Sequence, residues 1–236
     1  MKDSRPLYKI FSSVPPSYDL INRLFTWRQD ERWRKKAAGL ILEDNPQRIM
    51  DLCTGTGDLA IHIAGISGGG TGITGFDYSR PMLDIAERKA QESAGGRISF
   101  VLGDAAEMPF TNGYFGAIGI AFAFRNLTYK NKDSDKFLAE IYRVLEPGGR
   151  FVIVESSQPA NGLLRFLFRV YTKTMVYYLG SWISGNKTAY RYLANSVIDY
   201  FTPEEVTALL QKAGFSGIRH IPLMGGVAAI HLAIKR

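Results

Sequence analysis

The sequence predicts an α/β fold in which helices cover both faces of a doubly wound sheet. Apolar segments of strand length alternate with helical patterns along most of the 236 residues. One buried strand runs into a glycine-rich turn, Asp51 to Gly57, and the next strand ends at Asp77, about 20 residues on. Two apolar strands joined by Met224-Gly225-Gly226 then predict a terminal hairpin. We therefore predict a seven-stranded sheet with an antiparallel C-terminal strand, in one domain over residues 1–236.

Each strand is an apolar run bounded by turn residues. A helix over 133–145 should end at Glu146-Pro147-Gly148-Gly149, which is a strong stop signal. A last helix should begin at Thr202, its N-cap, and stop at Gly214. The predicted strands cover residues 48–53, 72–77, 97–103, 115–122, 150–156, 217–223 and 227–234.

Two segments lie outside this alternation. Residues 1–45 are predicted to form an N-terminal helical cap, because Trp33, Ala37 and Ile41 recur at helical spacing. Residues 157–200 form a long, aromatic-rich helical insertion after the fifth strand, which we call the lid. Neither segment carries the linker composition of a separate domain.

Composition excludes several classes of protein. One cysteine, Cys53, rules out an intrachain disulfide and is typical of a reducing cytoplasm. Three scattered histidines offer no metal-ligand spacing, so we expect no metal. No uncharged apolar run reaches about 18 residues, so no membrane-spanning helix is expected. The net charge of +7 leaves nucleic acid, an anionic membrane or simple solubility open, but aromatic residues are not interleaved with Lys and Arg as nucleic acid would require.

The glycine-rich turn indicates a cofactor that contains adenosine. Gly55 and Gly57 remove the Cβ atoms that would keep a ligand away from the backbone. Asp77 is placed to bind ribose hydroxyls. NAD and FAD enzymes share this logic, but the third glycine of their pattern is replaced here by Ala60, and a terminal hairpin is unusual for a nicotinamide domain.

Four segments resemble motifs of the class I S-adenosylmethionine-dependent methyltransferases. Residues 51–57 are similar to their first motif, with Cys53 where glycine is usual, and residues 77–83 are similar to the second. Residues 103–110 and 143–150 are similar to the third motif and to the segment after the fourth strand. This resemblance implies a Rossmann-like class I methyltransferase fold and S-adenosyl-L-methionine as the cofactor.

Further signatures resemble the ubiquinone/menaquinone biosynthesis C-methyltransferase family. They are an N-terminal signature over 11–22, a second one over 124–128, and late segments over 190–196, 213–215 and 225–231. The resemblance implies C-methylation of a prenylated quinol, either demethylmenaquinol or the equivalent benzoquinol. Two alternatives stay open: a class I methyltransferase with another small-molecule acceptor, and a non-catalytic cofactor-binding scaffold in a biosynthetic complex. A nucleic-acid substrate is disfavoured, because no Asn/Asp-Pro-Pro-Tyr/Phe motif follows the fourth strand.

The resemblance implies a cofactor-binding set of Asp51, Gly55, Thr56, Gly57, Asp77, Tyr78, Met82, Asp104, Ala105 and Ala121. In it Asp77 would accept hydrogen bonds from the ribose hydroxyls, or cap the following helix. Asp104 would contact the adenine edge, and Met82 would pack on the ring or in the core. Ala121 stands where the family often has serine, which removes one hydroxyl contact.

Catalysis is assigned by the same resemblance to Arg125, Asn126 and Tyr18. A ring carbon ortho to a hydroxyl becomes nucleophilic when the hydroxyl loses its proton. Arg125 stays protonated at neutral pH, so it would stabilise the phenolate or order a water that accepts the proton; the alternative is a structural loop arginine. Asn126 would orient the same oxygen, and Tyr18 would close over the site or pack in the core.

Residues 163–179 predict an apolar helix with Arg165, Arg169 and Lys173 at i, i+4 and i+8. A narrow basic stripe on an apolar helix is typical of a membrane interface. We therefore expect a cytoplasmic protein that contacts the inner face of the membrane through this segment and collects a prenylated substrate there. The alternatives are a lid packed over the active site and a homodimer interface.

Overall fold

A computed structural model describes residue 23 and residues 25–184 and 187–236. The strands are β1 (Arg48–Leu52), β2 (Gly72–Asp77), β3 (Ile98–Leu102), β4 (Phe115–Ala121), β5 (Leu145–Ser156), β6 (Phe215–Leu223) and β7 (Ala228–Lys235). They form one sheet in the order β3-β2-β1-β4-β5-β7-β6. The first five pair in parallel, and β7 is antiparallel to both of its neighbours. The predicted seven-stranded sheet with an antiparallel last strand is confirmed.

The helices alternate with these strands as the sequence predicts, except between β3 and β4, where residues 103–114 form turns and no helix. They are α1 (Gln29–Leu42), α2 (Asp58–Ile66), α3 (Arg80–Ala94), α4 (Phe124–Thr128), α5 (Ser134–Val144), α6 (Gly162–Tyr171), a π-helix (Thr172–Leu179), α7 (Gly180–Ser184), α8 (Lys187–Ile198) and α9 (Pro203–Lys212), with a short 3₁₀ turn (Met224–Gly226) inside the hairpin. Only α1 of the predicted N-terminal cap falls fully within the described residues. Within those residues, no helix combines the length and apolarity needed to cross a membrane.

Alternating side chains of the central strands fill two apolar layers, one on each face of the sheet. On β5, Phe151 and Ile153 pack in the layer that contains α5 and α9, whereas Val152 and Val154 pack in the layer that contains α1 and α2. Burial on both faces is what the continuous apolar composition of parallel strands requires. The sheet is therefore rigid at its centre, and its carboxyl edge is a fixed platform for ligand-binding segments.

Two predicted boundaries can be compared closely with the structure. Helix α9 begins at the predicted N-cap: the Thr202 hydroxyl accepts the Glu205 N–H at 3.3 Å, and the Glu205 carboxylate accepts the Thr202 N–H at 2.7 Å. The predicted start of the fifth strand at 150 is wrong, because β5 begins at Leu145. Leu145 pairs with Phe115 before the chain bulges, and regular pairing resumes at Arg150.

Candidate active site

The parallel sheet gathers the predicted site residues at its carboxyl edge. The glycine turn follows β1, Asp77 ends β2, Asp104 follows β3, and Arg125 and Asn126 lie on α4 just after β4. Open α/β sheets bind ligands at this edge, because the loops that leave the strands converge there. The arrangement therefore brings together segments that are far apart in the sequence.

Asp77 ties the glycine turn to the end of β2. Its two carboxylate oxygens accept the N–H of Gly55 and the N–H of Ser79, each at 2.9 Å. Burial raises the pKa of Asp77, while these N–H groups and that of Tyr78 favour the ionised form. Ser79 is the N-cap of α3, so the alternative prediction that Asp77 caps this helix is wrong. Each carboxylate oxygen keeps a second lone pair, so ribose binding is chemically compatible with these bonds.

Left-handed backbone conformations shape the turn. Cys53, Gly55 and Gly57 have φ values of 54°, 56° and 83°. The conformation of Cys53 explains why related motifs carry glycine there, since only glycine adopts it without strain. A Cβ on Gly57 would lie 3.0 Å from the Cβ of Ala86, so this glycine also lets α2 and α3 approach. A Cβ on Gly55 would lie 3.6 Å from the terminal methyl of Met82, which places that buried side chain against the turn.

Asp51 lies beneath the turn and is buried. Its Oδ2 atom accepts the Thr54 hydroxyl at 2.6 Å and the Ala60 N–H at 3.0 Å. Burial raises the pKa of Asp51 to about 7, and the charge of Asp77 adds to the shift, although both hydrogen bonds oppose it. Asp51 therefore gains or loses its charge near neutral pH, directly below the predicted cofactor segment.

The remaining predicted cofactor residues lie at the same edge. Asp104 accepts a backbone N–H from two residues further on at 3.0 Å and so shapes the turn after β3, where Ala105 is buried. The Thr56 hydroxyl accepts a hydrogen bond from Lys89 at 3.2 Å. Ala121 is the last residue of β4. Contacts of these residues with a cofactor remain predictions.

Asp58 joins three helices in an ion-pair cluster that the sequence analysis missed. Lys89 of α3 lies 2.5 Å from its carboxylate, and Arg34 of α1 lies 4.0 Å away and also pairs with Asp30 at 2.6 Å. Burial opposes ionisation of Asp58, but Arg34 and Lys89 outweigh it and hold its pKa below the ordinary value. The i, i+4 spacing of Asp30 and Arg34 is the signal that would have revealed this pair.

Arg125 is buried in an ion pair with Glu155, near the end of β5. Its Nη1 donates to Glu155 Oε1 at 2.7 Å, and its backbone N–H donates to Glu155 Oε2 at 3.1 Å. Its Nε donates to the hydroxyl of Ser196 on α8 at 3.1 Å. Arg125 therefore joins α4 to β5 and to the lid. This agrees with the alternative prediction of a structural arginine, except that its acceptors are side chains and not backbone carbonyls. Glu155 was not predicted as a site residue. Ser196 is the last residue of the 190–196 motif, and its hydrogen bond to Arg125 gives that position a structural role.

Asn126 follows Arg125 and offers an unused acceptor. Its side-chain oxygen is buried and accepts no hydrogen bond from the residues that the structure describes. Such an atom is rare in a folded protein unless a ligand or water satisfies it. Asn131 donates only to the backbone carbonyl of Asn126, at 3.0 Å. Tyr18 and the N-terminal signature lie outside the described residues.

The lid is helical but differs in detail from the predicted helix over 163–179. It consists of α6, the π-helix, α7 and α8, and no residue of α6 is buried. The predicted basic stripe is wrong at Arg165, whose Nε donates to the Pro159 carbonyl at 2.8 Å, so this side chain turns back toward the protein. Arg169 and Lys173 are exposed. The large apolar side chains that are also exposed are Leu163, Phe166, Leu167, Val170, Met175, Tyr178 and Trp182.

The sequence model of the ubiE/COQ5 methyltransferase family matches residues 1–235. The chain belongs to this family. A demethylmenaquinone methyltransferase of Thermus thermophilus is 46% identical over 223 residues, which cover 94% of this chain and 98% of the relative. A ubiquinone/menaquinone biosynthesis C-methyltransferase UbiE of Geobacter sp. is 34% identical over 227 residues, which cover 96% and 94%.

A solved structure shows the same fold. A SAM-dependent methyltransferase of Thermotoga maritima, described as a possible histamine N-methyltransferase, aligns with a TM-score of 0.60 and 16% identity, covering 97% of this chain and all of that one. The predicted family, the class I fold and the cofactor S-adenosyl-L-methionine are thus confirmed, and the chain is a methyltransferase that depends on this cofactor. Its residues fit the cofactor: Gly55 leaves the backbone open, Asp77 retains acceptor capacity, and the charge of Asp51 complements a sulfonium.

Asp51→Asn should abolish a pH dependence of cofactor affinity. In the native protein, Asp51 is protonated below about pH 7 and ionised above it, so affinity for the sulfonium should rise with pH through this range. We expect a gain of about five- to tenfold, which corresponds to about 1 kcal/mol of charge attraction. Titration calorimetry at several pH values measures it, with the uncharged thioether S-adenosylhomocysteine as the control. An equal slope in the variant would refute the role of Asp51.

Glu155→Gln should destabilise the protein by about 3 kcal/mol, because it leaves the buried Arg125 without a counter-charge. Ser196→Ala removes one neutral acceptor from the same guanidinium and should cost about 1 kcal/mol. Glu155→Asp keeps the charge and should recover part of the loss. Denaturant unfolding of the three variants measures these differences. An equal loss in the free energy of unfolding for Glu155→Gln and Ser196→Ala would show that the ion pair stabilises the protein no more than the neutral hydrogen bond does.

Proposed function

We propose that this chain transfers a methyl group from S-adenosyl-L-methionine to a ring carbon of a prenylated quinol, with demethylmenaquinol as the leading acceptor. The 46% identity with a demethylmenaquinone methyltransferase over nearly the full length of both chains carries the proposal. Two further relatives of that name are 38% and 37% identical and another is 33% identical, whereas four named for both quinones are 33–34% identical. That order favours the menaquinone acceptor over the ubiquinone precursor.

Carbon methylation requires an electron-rich ring, and the bound cofactor supplies an electrophilic methyl group. When a quinol hydroxyl gives up its proton, its electron density reaches the ortho carbon. That carbon would form the new bond to the methyl as the sulfur–methyl bond breaks and S-adenosylhomocysteine leaves. The ring proton then passes to solvent and the oxygen takes up a proton, so that the aromatic quinol is restored with the net release of one proton. The buried side-chain oxygen of Asn126, which accepts no hydrogen bond from the described residues, is suited to accept the hydrogen of the quinol hydroxyl and so orient the ring.

Arg125 then serves chiefly as a positioning residue. The Glu155 carboxylate accepts hydrogen bonds from the guanidinium and from the backbone N–H of Arg125. These two bonds fix the start of α4, the helix on which Asn126 lies. The positive charge that was predicted to stabilise the phenolate is already paired with a carboxylate 2.7 Å away. Help from Arg125 to the phenolate remains a prediction, and the positional role is the one that these contacts support.

The lid is proposed to contact the inner face of the membrane from the cytoplasmic side. The supporting feature is the exposed apolar side of α6, where Leu163 and Phe166 are 69% and 63% exposed. A helix with this surface is suited to the interface of a bilayer, in which a prenylated quinol resides. The alternative occupant is a second copy of the chain, and sedimentation of the protein without lipid distinguishes the two.

The purified chain, given S-adenosyl-L-methionine and reduced demethylmenaquinol, should yield menaquinol with one added methyl on a ring carbon. The oxidised quinone should give no product, because its ring is electron-poor. Mass spectrometry with NMR locates the methyl group. An O-methylated product, or turnover with soluble phenols only, would favour another acceptor. Cofactor binding without any turnover would favour the scaffold.

Asn126→Ala should lower kcat/KM for the quinol by about 10- to 100-fold, the effect expected for one oriented hydrogen bond to an ionising group. Cofactor affinity should stay unchanged, since the residue lies on α4 and not in the glycine turn. Asn131→Ala is the matched control, because its side chain donates to a backbone carbonyl of the same segment. Equal losses in both variants would assign Asn126 to folding and not to the acceptor.

A further inference from the structure

The lid carries most of the excess positive charge of the chain. Between Ser157 and Ile198 the sequence has no Asp or Glu, and its basic residues are Arg165, Arg169, Lys173, Lys187 and Arg191. The net charge of the whole chain is +7. A surface of this sign attracts anionic ligands, whereas a neutral quinol gains nothing from it.

A pocket of about 380 Å³ lies between the π-helix and α8. It is lined by Lys173, Tyr177, Tyr178, Arg191, Ala194 and Asn195. The Nη2 atom of Arg191 donates to the Tyr177 hydroxyl at 3.3 Å, and the guanidinium lies 5.9 Å from the centre of that ring, which holds it at the wall. In the described part of the chain, neither Lys173 nor Arg191 pairs with a carboxylate.

We propose that this pocket binds the phosphate of an anionic phospholipid headgroup. An ammonium, a guanidinium, phenol hydroxyls and an amide together offer the hydrogen-bond donors that phosphate oxygens accept. Tyr178 lines the pocket and is 68% exposed, so the pocket wall includes one of the exposed apolar side chains of the lid. The inference rests on the proposed membrane contact, which it extends from general adsorption to recognition of a defined chemical group.

Vesicle flotation with the full chain tests phosphate recognition. Vesicles of phosphatidylcholine with phosphatidylglycerol are compared with vesicles of equal surface charge in which oleate replaces phosphatidylglycerol. The native protein should prefer phosphatidylglycerol by about tenfold, the value expected for charge-assisted contacts to phosphate. The double variant Lys173→Gln/Arg191→Gln should lose that preference. Arg169→Gln/Lys187→Gln, which removes equal charge from exposed lid positions outside the pocket, should bind both vesicles more weakly but keep it.

A second arm separates a lipid from a soluble phosphate. Glycerol 3-phosphate is titrated into the native protein and both double variants by calorimetry, and we expect binding far weaker than to vesicles. Tight binding of glycerol 3-phosphate that depends on Lys173 and Arg191, without flotation, would assign the pocket to a soluble ligand and overturn the lipid source. Equal affinity for both vesicle types in the native protein would reduce the lid to general electrostatics and overturn the pocket.

Both arms omit quinol and cofactor, so their outcome is independent of methyl transfer. A chain that methylates demethylmenaquinol but shows no preference for phosphatidylglycerol would refute the phosphate pocket and leave the proposed reaction standing. A chain that prefers phosphatidylglycerol but does not methylate demethylmenaquinol would support the phosphate pocket and refute the proposed reaction.

Discussion

Folding removes several ionisable groups from water at the carboxyl edge of the sheet, and the partners of these groups determine the shape of the site. Asp77 is satisfied by N–H groups of Gly55 and Ser79, so one carboxylate sets the distance between the glycine turn and α3. Arg125 and Glu155 neutralise each other and hold α4, β5 and the lid together. An unpaired charge at this depth would cost several kcal/mol, so these pairs cannot be exchanged freely. The groups best placed for chemistry are therefore also the groups that hold the site together.

Two roles for Arg125 are compatible with its ion pair to Glu155: acting on the phenolate, and positioning α4. Loss of activity on removing its side chain would follow whether the guanidinium acted on the phenolate or only positioned α4. The two roles separate at Glu155, because a carboxylate that pairs with the guanidinium weakens its field at a substrate but strengthens its hold on the backbone. An arginine paired in this way is a better anchor than an electrophile. Asn126, whose buried oxygen lacks a donor among the described residues, is left as the group with free capacity for the acceptor.

Much of the fold could be predicted from the sequence because its signals are local. Each strand is an apolar run between turn residues, and the start of α9 is marked by the capping residues Thr202 and Glu205 and by Pro203 at the first helical position. The position of the cofactor segments could be predicted for the same reason, because each of them directly follows a strand that is recognisable in the sequence. The start of β5 was missed because it depends on pairing with β4 and not on the Gly148-Gly149 pattern itself. Glu155 and Ser196 were missed because they meet Arg125 across 30 and 71 residues of sequence, a proximity that no local pattern encodes. The π-helix likewise has no signature that separates it from an α-helix.

The cofactor and the phosphate group proposed for the lid would call for opposite potentials, and the corresponding charges lie on different segments of the chain. The predicted cofactor segments carry three carboxyl groups, on Asp51, Asp77 and Asp104, of which Asp51 in its ionised form would complement the sulfonium cation. The lid segment from Ser157 to Ile198 has no carboxylate and repels such a cation while it attracts an anionic surface. Arg125 pairs with Glu155 and also bonds to Ser196 of the lid, so the link between the sheet edge and the lid carries no net charge. Exposed charges further apart than the screening length of about 8 Å in physiological salt act on each other only weakly, so only lid charges close to the turn would lower its affinity for the cationic cofactor. The lid, residues 157–200, has five basic residues and one acidic residue, Asp199, and so accounts for just over half of the net charge of +7.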